Sequence, residues 1–273
     1  MSVRIGIGVD MWANRGVAIS PEALAWQANI IANGGTITGS QLAFFDTWFF
    51  KPAITAGNIL TELDRLNIYC NLVGSEIAAR TNMIKAAHFV TPVSSPTFDN
   101  NGYRSSGTSY LNLNYTISTQ AVKLTQNSVN FGCAVKTPSF ASLTRMMGVN
   151  SSVGRGLSMG RLTNPASFVV INTSAVNVNN TNAVTTGNVI FEGVRNNATE
   201  ANPIINGVGA LQLQASSPLL PDISSFELTL NNNGTPTTGY DLSPHLCSWH
   251  GSSALNNTGL RTILNNLFTA AGI

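Results

Sequence analysis

The sequence predicts a mainly β protein with an α-helical appendage, its strands forming two antiparallel sheets packed face to face or a closed barrel. Three stretches carry that prediction. In Ser128–Val135, Val129, Phe131, Cys133 and Val135 fall on one side while Asn130, Gly132 and Ala134 fall on the other. Phe226, Leu228 and Leu230 alternate with Glu227 and Thr229, and Leu111, Leu113, Tyr115 and Ile117 alternate with Asn112, Asn114 and Thr116. Successive side chains of a strand point to opposite faces, so a period of two gives each segment one buried and one wet face. Clusters of Asn, Gly, Ser and Pro separate these segments, as turns separate the strands of sandwiches and barrels.

From the N-terminus the chain divides into three parts. In the first, residues 1–19, Val3, Ile5, Ile7 and Val9 alternate with Arg4, Gly6 and Gly8. This reads as a strand or as an arm that docks on a neighbouring subunit, with residues 10–19 as its connection. The second part, residues 20–88, is helical. Ser20-Pro21-Glu22 combines a capping side chain, a proline at the first helical position and an acid near the positive end of the dipole. Leu24, Ala28 and Ile31 share one face of this helix, with Trp26 and Ile30 beside them, and Gly34-Gly35 ends it. Thr38 and Gln41 have capping-box spacing for a second helix. It carries Leu42, Phe45 and Phe49 flanked by Phe44 and Trp48, a set that suits a packed core better than a binding groove. Asp64–Tyr69 reads as a short extended piece, and Glu76–His88 is expected to form a third helix.

The third part, residues 89–273, is the β domain with a closing helix. Its last strand is Leu246–His250, and the helix is predicted from about Asn257 to Ala271. There Leu260, Ile263, Leu264, Leu267 and Phe268 form a complete apolar stripe, which requires burial against the helical section or the outside of a sheet.

With 273 residues and a hydrophobic fraction of 43%, the chain can hold one large β domain with an appendage, or two small domains. Only 10% of residues are charged, so solubility rests on the Asn, Thr, Ser and Gly that crowd Asn172–Asn206. The fourteen Lys and Arg are scattered singly at a net charge of +2. No stretch can neutralise several phosphates together, which argues against nucleic acid as a partner. No segment approaches the length of a transmembrane helix, so membrane insertion is not expected, and Met1–Asp10 lacks the apolar core of a secretory signal. Three cysteines, Cys70, Cys133 and Cys247, cannot all pair within one chain, and their spacing matches no metal motif. Cys133, on an apolar strand face, reads as a small buried hydrophobe.

Catalytic chemistry finds little support. A glycosidase needs two carboxyl groups flanking the scissile bond. The acids after Asn100 are Glu192, Glu200, Asp222, Glu227 and Asp241, with no alternate-position cluster on one strand. The phase of Glu227 assigns it to a solvated face. Asp222 and Asp241 are the candidates for a calcium site, and a solvated-loop role suits them better. His245 and His250, five residues apart on one strand, are expected on opposite faces and so not on a shared metal. His88 reads as a surface or satisfied residue. Gly154-Arg-Gly156 and Gly160-Arg161 lack the lysine and the strand-to-helix context of a phosphate loop and read as hairpin turns. No catalytic residue, metal ligand or cofactor is assigned, and the ligand-binding residues stay open. Trp249 and the loop Asn231–Tyr240 are candidate contact points, although Trp249 suits a core position better.

The order of these features resembles a group of phage and prophage virion proteins. The resemblance is carried by the helical lead-in Trp26–Leu42, the Leu-Asp-Arg-Leu segment within Leu63–Tyr69, and Ser95-Pro-Thr-Phe98. It continues through Gly102-Tyr103, Gly107–Leu111, the Asn127–Val135 strand and the final helix ending in Ala-Ala-Gly. It covers residues 21–273, and the first twenty residues are unmatched. It implies a concanavalin A-like (laminin G-like) jelly-roll sandwich and a non-enzymatic virion structural protein made in the bacterial cytoplasm. The implied partners are other virion proteins, copies of itself and host-surface glycan, with the N-terminal arm as an attachment device. Two alternatives remain: a free carbohydrate-binding lectin, and a glycan depolymerase working through Glu192 or Glu227.

Overall fold

The computed structural model describes residues 18–70, 75–138, 144–151, 155–161, 167–173, 178–181, 187–217, 219–237 and 239–273. The strand or arm expected at residues 3–9 lies outside them. Helix α1 (Pro21–Ala32) is capped by Ser20, whose Oγ accepts from the Ala23 N–H and donates to the buried Asp46 carboxylate. Its buried side is Ala23, Trp26 and Ile30, whereas Leu24 and Ile31 of the expected face are 48% and 61% exposed. The Trp26 ring decides this orientation by packing on Phe45 and Phe50 at 5.1 and 5.9 Å. Burying an indole among rings removes more apolar area from water than burying Leu24 would.

The Thr38–Gln41 capping box opens α2 (Gly39–Phe45), which runs through a π-helical turn (Asp46–Phe50) into α3 (Lys51–Ala56). Pro52 has no N–H to offer the carbonyl one turn earlier, and the widened register falls where that bond is lost. Leu42, Phe45 and Phe49 are buried core, as expected, with Phe44 and Trp48 partly buried against it, and Phe50 joins the core as well.

The expected third helix is only α4 (Glu76–Arg80). Asn82 replaces helical bonding beyond it: Oδ1 accepts from the Leu66 and Ile84 N–H groups, and the amide donates to the Ala87 carbonyl. His88 then takes a left-handed conformation with φ of 64°.

The strands are β1 (Leu63–Ile68), β2 (Thr91–Val93), β3 (Thr97–Asp99), β4 (Gly102–Arg104), β5 (Tyr110–Thr116), β6 (Val129–Lys136), β7 (Thr144–Ser151), β8 (Arg155–Arg161) and β9 (Ser167–Thr173). Then follow β10 (Val178–Asn180), β11 (Asn188–Arg195), β12 (Glu200–Ile205), β13 (Val208–Gly209), β14 (Gln212–Leu213), β15 (Ser224–Glu227), β16 (Asn231–Asn232), β17 (Thr235–Pro236) and β18 (His245–Gly251). The short helix α5 (Ile117–Gln120) follows β5, and α6 (Asn257–Ala270) closes the chain.

The first sheet runs β13-β12-β11-β6-β18-β4-β3, with β1 also on β18 and β14 on β12. The second runs β10-β9-β8-β7-β15-β5-β2, with the β16–β17 hairpin against β7. The hairpins β12–β13 and β16–β17 turn at Asn206-Gly207 and Asn233-Gly234, both residues of each pair at positive φ. That conformation matches strand twist and favours Asn-Gly. The result is the expected two-sheet jelly-roll sandwich.

Cys133 of β6 points into the sandwich, its Sγ 3.7 Å from Met159 Sδ of β8. The opposite face of β6, expected to be wet, is covered as well. Asn130 and Ala134 are buried, and the Trp249 ring lies where a side chain on Gly132 would stand. Helix α6 supplies part of the cover: Asn130 donates to Asn257, and Arg261 reaches Glu192 on β11. Its whole predicted stripe is buried, and one hydrophobic cluster joins α1–α3, α6 and both sheets. Strand β1, from the helical part of the sequence, pairs with β18 inside the first sheet.

Candidate functional site

Of the ionisable residues weighed from the sequence of the β region, Glu192, Glu227, Asp241, His245 and His250 are all buried, while Asp222 is exposed. Most of them meet in one polar cluster between the sheets, and two irregularities put them there. Strand β15 stops at Glu227, which sits opposite the inward residues Leu111 and Met147, and Leu228 follows with φ of 67°. Phe226 therefore faces out and Glu227 in, the reverse of the expected phase. In β18 the register shifts between His245 and Cys247, so that His245, Ser248 and His250 lie opposite Val135, Cys133 and Phe131. The extra residue reverses the expected opposition of His245 and His250. Both point into the sandwich.

His245 bridges the two carboxylates, with Nδ1 2.8 Å from Glu227 Oε1 and Nε2 3.3 Å from Asp241 Oδ2. The other Asp241 oxygen accepts from Arg161. The second Glu227 oxygen accepts from the Tyr69 and Ser248 hydroxyls, each at 2.6 Å. Arg65 completes the cluster, donating to Asn67 at 2.8 Å and Ser248 at 3.0 Å and lying 3.1 Å from His250 Nδ1.

Burial by itself would lower the pKa of His245, but the hydrogen bonds and charges of Asp241 and Glu227 outweigh it and raise it to about 9. Burial pushes both carboxyls up, while bonding to His245, with Arg65 near Glu227 and Arg161 near Asp241, brings each below its ordinary value. An imidazolium is thus held between two carboxylates at neutral pH. Burial, then the charge of Arg65, pulls His250 well down and keeps it neutral.

A histidine between two acids beside a serine has the ingredients of nucleophilic catalysis, but not the connectivity. Ser248 donates to Glu227 rather than to His245, and every member of the cluster is shut off from solvent. Glu192 lies on the other side of the first sheet, opposite Gly132 and bonded to Arg261. Burial, only partly offset by Arg261, raises its pKa to about 7. Glu192 and Glu227 therefore cannot flank one glycosidic bond.

Among the described residues, no group of three or more His, Cys, Asp and Glu is arranged to hold a metal. Asp241, expected in a solvated loop, is held inside by Arg161 and His245. The three cysteines are buried and unbridged. His88 is a satisfied residue, its ring nitrogen 3.1 Å from the Asn114 carbonyl and its ring against Tyr115. Trp249 is core, its indole N–H donating to Asn130.

Gly160-Arg161 belongs to β8 rather than to a turn. Gly160 lies beneath the Phe168 ring, and Arg161 reaches inward to Asp241. Gly154 lies outside the described residues. The Asn231–Tyr240 loop forms the β16–β17 hairpin and returns to β7 at Tyr240. A separate cleft of about 250 Å³ lies between α1 and residues 60–61 and 83–84, lined by Glu22, Trp26, Phe50, Leu60 and Met83.

Sequence reasoning missed Arg65, Tyr69, Arg161 and Ser248. Arg65 left one trace: in Leu63–Tyr69 charged residues interrupt an apolar segment without alternating, as they do in a strand covered on both faces.

No protein-family model and no curated protein matches the sequence. In structure the chain is similar to a mutant Trypanosoma rangeli sialidase displaying trans-sialidase activity, at 11% identity and a TM-score of 0.56, over 85% of this chain and 38% of that one. It is also similar to the binding domain of botulinum neurotoxin serotype D, at 10% identity and a TM-score of 0.53, over 78% of this chain and 52% of that one. The chain thus spans about half or less of each of these proteins. At such identities the likeness is one of fold, and the fold is the two-sheet jelly-roll sandwich.

Proposed function

We propose that this chain is a non-enzymatic structural protein of a bacteriophage particle, a head decoration, fibre or tail-associated component that displays its jelly roll and uses it to bind host-surface glycan. Its partners are neighbouring virion proteins and further copies of itself, and residues 1–19 attach it to them. The observation that carries the non-enzymatic part is the sealing of the acids. Glu227, Asp241 and Glu192 are buried and engaged by His245, Arg161 and Arg261, so each serves as an internal counter-ion. The virion part rests on the sequence resemblance, and the weakly charged, amide- and hydroxyl-rich composition suits a glycan better than an ionic partner.

Peptide mass spectrometry of gradient-purified, nuclease-treated particles tests this reading. Stoichiometric presence is expected, with a copy number that separates head decoration from a vertex or tail position. Absence from particles overturns the virion assignment. Deleting residues 1–19 is expected to prevent incorporation, and normal incorporation of the truncated chain would refute the arm. Release of reducing ends from host polysaccharide would restore the depolymerase alternative.

A further inference from the structure

The outer face of the second sheet carries a row of side chains that the buried cluster does not use. Met147, Met159 and Val169 are paired laterally, and Met159 touches Cys133 across the sandwich. Their neighbours Gly148, Ser158, Gly160 and Phe168 therefore face outward. The Phe168 ring lies over Gly160, where a Cβ would stand 2.6 Å from it. On that ring the Arg145 guanidinium stacks, 4.5 Å from the centroid. Arg145 is bridged laterally to Tyr240, and its N–H donates to the Gly239 carbonyl at 2.6 Å. Laterally paired residues point the same way, so Tyr240 stands beside Arg145.

Tyr110 is the next member: Glu227 pairs with both Leu111 and Met147, so Tyr110, one residue before inward-facing Leu111, lies on the outer face of β5, one strand beyond β15 from Arg145. Partial burial, then Tyr110, raises the pKa of Tyr240. Tyr110 in turn packs on Phe226, with ring centroids 4.5 Å apart. Phe168 and Phe226 are buried beneath the row, while Arg145, Tyr240 and Tyr110 are partly exposed along it.

Arg161 pairs with Asp241, Arg261 with Glu192 and Arg104 with Asp99, but among the described residues no carboxylate pairs with Arg145. Arg65, Arg80 and Arg195 likewise have no carboxylate partner there, but their guanidinium groups donate to Asn67 and Ser248, to the Val90 carbonyl, and to the Ile171 carbonyl and Gln214. The charge of Arg145 is partly withdrawn from water over the Phe168 ring, and burial lowers its pKa. A planar cation of this kind binds a carboxylate through two parallel hydrogen bonds. Tyrosine rings beside it offer an apolar surface with a polar tip, which matches a sugar's C–H face and its hydroxyls.

We infer that the row Arg145–Tyr240–Tyr110 is a binding site for a carboxylate-bearing saccharide, the carboxylate on Arg145 and the sugar ring along the tyrosines. The inference rests on the glycan-binding part of the proposed function and gives it a location and a ligand class.

The test measures binding of the full chain to an array of uronic- and nonulosonic-acid oligosaccharides. Each is printed beside its methyl ester and beside neutral oligosaccharides of the same length. Retention on the acids is expected to weaken about tenfold or more on esterification, and by a similar factor in Arg145→Ala and Tyr240→Ala, as loss of charge-assisted hydrogen bonds implies. Arg145→Lys, which keeps the charge and loses the planar fork, is expected to fall between. The ester comparison needs no variant, so a folding defect in Arg145→Ala leaves the test standing. Equal binding to acids and esters, or wild-type binding by a folded Tyr240→Ala, overturns this site and leaves glycan binding intact. Retention on no oligosaccharide, acidic or neutral, removes the glycan reading and the site together.

Discussion

Glu227 accepts hydrogen bonds from Tyr69 and Ser248 and an ion pair from His245 without reaching water. Removing one partner of such a cluster strands the others, so Glu227→Ala is expected to cost about 3–5 kcal/mol in urea denaturation. The cluster also sets a pH window. The pKa of His245 is raised from 6.5 to about 9, so its contribution is complete below pH 6.5 and lost as pH rises through about 9. The Glu227 and Asp241 values are depressed, so theirs is present above the ordinary carboxylate range and lost on acidification. Urea midpoints measured against pH should therefore fall at both ends, and His245→Gln should flatten the alkaline limb. An unchanged alkaline limb in that variant would show that the imidazolium does not supply the dependence. Gly132 makes a steric demand instead: a Cβ there would stand 2.2 Å from the Trp249 ring. Gly132→Ala is expected to destabilise by about 1–3 kcal/mol through overpacking.

Helix α1 shows apolar residues on two faces and buries only one. Trp26→Ala is expected to cost about 3–5 kcal/mol, whereas Leu24→Ala and Ile31→Ala should stay within about 0.5 kcal/mol because those side chains already face water. Equal losses at Trp26 and Ile31 would mean that the exposed stripe is covered in solution. In α6 the stripe and its burial agree, since Leu260, Ile263, Leu264, Leu267 and Phe268 are all core. The Asn256 side chain caps its first turn by accepting from the Gly259 N–H, so Asn256→Ala should lose about 1 kcal/mol. In α4 the helical pattern ran on to His88, but Asn82 offered the backbone other partners and the helix ended at Arg80.

At the scale of the molecule, α1–α3, both sheets and α6 share one hydrophobic cluster, and β1 pairs with β18 across most of the sequence. Unfolding is therefore expected to be a single cooperative transition. Fluorescence of Trp26 and Trp249, each isolated by replacing the other tryptophans, should report the same midpoint as far-UV circular dichroism. Separate midpoints would indicate a helical part that melts independently.

The element types were legible in the residues because their signals are local. Ser20-Pro21-Glu22, the Thr38–Gln41 box, the strand alternation at Leu111–Tyr115 and Val129–Val135, and the α6 stripe each act within a few residues. Which face turns inward is not local. One bulge in β18 and one left-handed residue at Leu228 reverse the parity of His245 and Glu227, and a one-residue shift sends a strand's side chains to the other face. Arg65, Arg161, Glu227 and His245 lie far apart in sequence and meet only because the sheet order stacks β1, β8, β15 and β18 around one interior. The chain's own pattern was enough to specify strands, helices and their caps. The partners of its buried charges, and the row on its outer face, follow from pairing between segments that no short-range pattern encodes.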